Sequence, residues 1–125
     1  MIGGKENVLY EKAYAFALRI IKAYQFLTSE KKEFVLAKQL LRCGTSIGAN
    51  VAEANGAISD ADFSSKISIA YKECLETKYW LSLIMDSGFI GQKTYTSIFA
   101  DADELAKMLF TTLRSTRQLK NQPVN

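Results

Sequence analysis

No histidine occurs in the 125 residues. Its absence removes imidazole general bases, Ser-His and Cys-His nucleophile pairs, and the Glu-x-x-His ligand pattern of di-iron bundles. The remaining candidates for acid-base chemistry in the middle of the chain are Glu33, Glu53, Glu73 and Glu76. Glu73 and Glu76 have the spacing of neighbours on one helix face and could meet a metal ion. The other ligands would then have to be further carboxylates or the thiols of Cys43 and Cys74. Both cysteines lie among apolar residues at helical spacing and read as small buried hydrophobes, so a disulfide scaffold is not expected. The chain is therefore expected to be non-enzymatic, with no catalytic residue, no metal and no cofactor.

Residues 42–55, RCGTSIGANVAEAN, raise a second chemical possibility, because glycines can cradle a phosphate. A phosphate loop needs its glycines at a strand-to-helix turn where amides are free. Here Gly44 and Gly48 fall inside a helical pattern whose amides are already used. On a helical wheel Leu36, Leu40, Ile47, Val51 and Ala54 share one side, and Ala37, Gly44, Gly48 and Ala52 line the adjacent flank. Arg42, Ser46 and Glu53 lie roughly opposite, with Asn50 at the border. An interior glycine costs a helix about 1 kcal/mol relative to alanine, so the small-residue groove needs an occupant to offset that cost. One reading places an aromatic of the same bundle in it, from among Phe16, Phe63, Tyr71 and Trp80. The other places a second subunit there, with Asn50 and Glu53 hydrogen-bonding across the contact.

The elements that must position these residues are four helices, at about 6–27, 30–55, 60–87 and 92–119. In the first, Leu9, Ala13, Phe16, Ile20, Tyr24 and Leu27 keep steps of three and four. Thr28 or Ser29 is expected to cap the second, and Asn55-Gly56 to stop it in a left-handed conformation. Ser59 with Asp62 has the form of a capping box opening the third. There Phe63, Ile67, Ala70, Cys74, Thr77, Leu81 and Ile84 alternate steps of four and three, the seam of coiled-coil-like packing. Gly88 and Gly91 break the chain before the fourth, where Ile98, Ala102, Leu105, Leu109, Thr112 and Thr116 repeat the pattern. Short connections make successive helices antiparallel, so the expected fold is an all-α up-down-up-down four-helix bundle in one domain, frayed at 1–5 and 120–125. No run approaches the roughly 20 apolar residues of a membrane span, and a soluble cytoplasmic protein with no membrane contact is expected.

The formal charge is only +3, so a polyanion site would require charge segregation. The bundle topology sets the start of the first helix beside the end of the fourth. Lys5, Lys12, Arg19, Lys22, Arg114, Arg117 and Lys120 would then form a basic stripe, with Asp101, Asp103 and Glu104 at the far end. The competing reading is a solvated polar face whose charges match the helix dipoles.

The blocks LLRCGTSIGANVAEAN and SSKISIAYKECLETKYWLSLIMDSGFI resemble the four-helix-bundle family of 23S ribosomal RNA intervening-sequence proteins, over about Tyr10 to Leu119. Ser46, Ile47, Asn50, Ala52, Glu53, Glu76 and Thr77 match by position. Ala54 stands where relatives commonly carry glycine. The resemblance implies an up-down bundle, a homo-oligomer that in some members is a pentamer, and similarity to the accessory protein of diversity-generating retroelements, which binds a reverse transcriptase and nucleic acid. It transfers no catalytic residue. The expected function is binding of RNA or DNA backbone through the basic stripe. The alternative is a protein-interaction scaffold or accessory subunit for a partner such as a polymerase.

Overall fold

The computed structural model describes the backbone over residues 4–120 and side chains over residues 8–116. Four helices follow one another: α1 (Gly4–Ser29), α2 (Val35–Asn55), α3 (Asp60–Asp86) and α4 (Gln92–Lys120). Each packs against its successor and α1 closes back on α4, the loosest of the four seams. Between α2 and α3, Arg42 meets Glu73 and Glu53 meets Lys66, and between α3 and α4, Lys78 meets Asp103 and Ser82 meets Tyr95, so these neighbouring helices run antiparallel. The molecule is the expected up-down-up-down bundle.

Local chemistry explains the boundaries. Ser59 Oγ accepts the Asp62 amide at 3.0 Å, and the Asp62 carboxylate accepts the Ile58 amide at 3.2 Å. Asp62 therefore closes the capping box one residue further back than the usual pattern. At the end of α3, Gly88 adopts φ +84, which lets the Phe89 amide reach back to the Ile84 carbonyl at 3.1 Å. A side chain there would be strained, and glycine is the residue that avoids it.

Two expectations about α2 are corrected. The helix starts at Val35, five residues later than expected, and the Thr28 and Ser29 hydroxyls donate back to α1 carbonyls at Tyr24 and Gln25. The Glu33 carboxylate caps α2 instead, accepting the amides of Leu36 at 2.6 Å and Ala37 at 3.1 Å. Its negative charge at a helix start is favoured as well as hydrogen-bonded. At the other end Gly56 has φ −100, so α2 does not stop in a left-handed turn. The amides of Gly56 and Ala57 tighten onto the Glu53 and Ala54 carbonyls, which needs no special backbone freedom.

The core follows the heptad pattern. Ile67, Ala70, Cys74, Thr77, Leu81 and Ile84 of α3 are buried against Leu9, Phe16, Ile20, Leu40, Ile47, Leu105 and Leu109. Thr77 is tolerated there because its hydroxyl donates to the Glu73 carbonyl at 2.8 Å. Burial raises the thiol pKa of Cys43 and pushes that of Cys74 up to about 12. Among the described residues, no helix is long and apolar enough to cross a membrane.

Candidate nucleic-acid interface

The basic stripe is less exposed to a ligand than the sequence implies. Lys12 Nζ lies 3.3 Å from Glu104 Oε1, and Arg19 Nη1 lies 2.6 Å from Asp101 Oδ2. Arg19 also donates to the Ser97 hydroxyl at 3.0 Å and the Ser97 carbonyl at 3.3 Å. Asp101 and Glu104 therefore do not sit at the far end of the bundle. They lie about three helical turns into α4, at the height where antiparallel α1 presents Arg19 and Lys12. Beneath these pairs the helices part into a cleft of about 210 Å³ floored by Phe16 and Leu105. Among the described residues, Lys22 and Arg114 form no ion pair, and Arg114 rests over the Phe110 ring at 5.8 Å. The side chains of Lys5, Arg117 and Lys120 lie outside the described residues.

The small-residue groove takes its occupant from α1 of the same bundle. A Cβ added at Gly44 would stand 2.8 Å from two side-chain carbons of Ile20, and one at Gly48 would stand 3.6 Å from the Ala13 backbone. The occupant is thus a β-branched side chain and a helix backbone, rather than the aromatic expected within the bundle. Ala52 lies outside this contact and is exposed. Asn50 donates to the Ser46 carbonyl and hydroxyl one turn back, at 2.9 and 3.0 Å. Glu53 pairs with Lys66 of α3 at 2.8 Å. These side chains knit α2 to itself and to α3.

The carboxylates that spacing marked for metal are committed elsewhere. Arg42 reaches Glu73 at 3.3 Å and also binds Glu76, whose Oε2 accepts the Trp80 indole N–H at 2.9 Å. Among the described residues, no cluster of three His, Cys, Asp or Glu side chains could hold a metal ion.

One surface was not singled out in the sequence. On the outer side of α3 and α4 an open groove of about 360 Å³ is lined by Tyr71, Leu75, Lys78, Asp103, Lys107 and Phe110, among others. Tyr71 and Phe110 pack with ring centroids 5.8 Å apart. Lys78 and Lys107 both bind Asp103, at 2.9 and 3.2 Å, and their hydrogen bonds hold its carboxyl below the usual carboxylate range. The signal was Phe110 itself, an aromatic displaced by one residue from the buried Leu109 seam.

Comparison with known proteins agrees with the geometry. The chain aligns with a crystal structure of a protein of unknown function from the S23 ribosomal protein family of Bacteroides thetaiotaomicron, at 48% identity and a TM-score of 0.87. The alignment covers 89% of this chain and 99% of that one. No protein of curated function matches. Residues 5–111, from α1 into α4, match the family described as 23S rRNA-intervening sequence protein, and the chain belongs to that family.

Proposed function

We propose that the protein is a non-enzymatic, homo-oligomeric helical bundle that binds the backbone of RNA or DNA through cations of α1 and α4. The observation that carries this reading is the state of those cations. Among the described residues Lys22 and Arg114 are exposed without an ion pair, Lys12 is held by a surface pair, and Arg19 by a surface pair and hydrogen bonds to Ser97. Exposed pairs of this kind contribute about 0–1 kcal/mol, so a phosphate offering charge-assisted hydrogen bonds can exchange with the carboxylate. The family's description, which names an intervening sequence of ribosomal RNA, supports a nucleic-acid ligand. Repetition of the cations around an oligomer such as the pentamer implied by the resemblance would multiply counterion release and avidity.

The test is an anisotropy titration with structured RNA and with duplex DNA. Micromolar binding at low salt, weakened by Lys22→Glu and Arg114→Glu, is expected. Absence of binding, or indifference to both charge reversals, would refute the proposal.

A second reading, a scaffold that engages a protein partner such as a polymerase, draws on α1. Tyr14, Leu18 and Ile21 are 56%, 50% and 38% exposed at the spacing of one helical face. Co-purification of a partner that survives nuclease treatment would favour this reading over direct nucleic-acid contact.

A further inference from the structure

We infer that the groove between α3 and α4 receives an unpaired base of single-stranded nucleic acid, stacked at Phe110 and Tyr71 with its flanking phosphates on Lys107 and Arg114. The inference rests on the nucleic-acid reading above and adds a ligand class and a site away from the α1–α4 seam. Phe110 is 44% exposed and Leu75 43% exposed, so both present apolar surface to solvent beside the half-buried Tyr71. At about 360 Å³, the groove lies within the range of small-ligand clefts, about 300–1,000 Å³.

Charge selects the occupant. Lys78, Lys107 and Arg114 surround this surface against the single carboxylate of Asp103, leaving an excess of positive charge beside the aromatic pair. Arg114 stands one turn beyond Phe110 with its guanidinium carbon 5.8 Å from the ring centroid, so it can stack on a base or bind the adjoining phosphate. Asp103 adds an acceptor that suits an exocyclic amine. An aromatic face, cationic donors and one acceptor match a nucleotide more closely than a run of carboxylates. A duplex hides its base faces, whereas a single strand offers them. Arg114, over Phe110, is also one of the cations proposed above to bind backbone, so the two sites share that residue.

The full-length chain is titrated with a single-stranded thymidine oligonucleotide of about 12 nucleotides carrying one central 2-aminopurine, and with a duplex of the same length. Binding should quench the 2-aminopurine by stacking. Phe110→Leu should weaken single-strand binding by about tenfold and abolish quenching, while duplex affinity stays within about twofold; Phe110→Tyr should restore both. Unchanged quenching in Phe110→Leu overturns the inference. So does equal competition by an acidic peptide of matched charge, which would assign the groove to a protein segment. A change of mass in light scattering on Phe110→Leu would assign it to a second copy and also overturn it. Salt-sensitive duplex binding without single-strand quenching overturns the inference alone, whereas no binding of either probe overturns the nucleic-acid reading as well.

Discussion

Helix α1 is held on its two sides by different physics. Toward α2 it lies in a groove made by Gly44 and Gly48, close enough that Ile20 would touch a Cβ at the first and the Ala13 backbone would meet one at the second. Toward α4 it stands off over a cleft, spanned by the Lys12–Glu104 and Arg19–Asp101 pairs. Close apolar approach is insensitive to salt and intolerant of added volume. Exposed ion pairs tolerate mutation, are screened by salt, and leave cations that can change partners. The tight seam fixes the bundle, and the loose one presents exchangeable charge.

The comparison breaks most strongly at Ile20, which is fully buried against Gly44. Ile20→Ala should cost about 2–5 kcal/mol in chemical denaturation. Gly44→Ala should be the next most damaging change. Its Cβ meets branch carbons of a buried isoleucine, so overpacking of about 1–3 kcal/mol outweighs a helix-propensity gain of about 1 kcal/mol. Because Ile20→Ala removes both of those carbons, Gly44→Ala should cost less in the Ile20→Ala background than beside Ile20 in a double-mutant cycle. Gly48→Ala, whose Cβ would find ordinary contact distances, should be neutral or stabilising by up to about 1 kcal/mol. At the loose seam Arg19→Ala should change stability by less than about 1 kcal/mol, and by still less at high salt. A large loss for Arg19→Ala, or none for Gly44→Ala, would reverse the assignment of the two seams.

The buried thiols give a pH signature unrelated to either seam. Cys74 is raised from 9.0 to about 12 in the folded state, chiefly by burial. Its contribution to stability is complete below pH 9 and is lost progressively as pH rises toward 12, because the unfolded thiol ionises first. Thermal melts of wild type should therefore fall more steeply over that interval than melts of Cys74→Ala.

The fold was legible because each helix carries its own periodicity and punctuation. Heptad steps in α3 named its buried face from Ile67 to Ile84, with Phe63 of the same seam only half-buried, and Ser59 and Gly88 marked its ends. The start of α2 was misplaced because Thr28 and Ser29 have the right chemistry for a cap, yet their hydroxyls are satisfied by α1; the capping group is Glu33, whose reach depends on the turn that precedes it. The site was legible only in part. A wheel put Gly44 and Gly48 on one flank, but whether that flank met a side chain, a backbone or another subunit depended on the approach of α1. Charge counting by helix end also misled, since Asp101 and Glu104 neutralise Arg19 and Lys12 through the register of α1 against α4. The α3–α4 groove was not legible in the sequence because Phe110 and Tyr71 come together only when two helices pack.

The most direct measurement compares wild type with the double variant Asp101→Asn, Glu104→Gln in RNA binding across a salt series. Both substitutions keep side-chain shape while removing the carboxylates that hold Arg19 and Lys12. If those cations serve phosphates, the variant should bind more tightly at low salt. Its plot of log K against log salt should steepen by up to about 0.7–0.9 for each newly engaged phosphate. A folded double variant with the affinity and salt slope of wild type would contradict the proposed role of the α1–α4 cations.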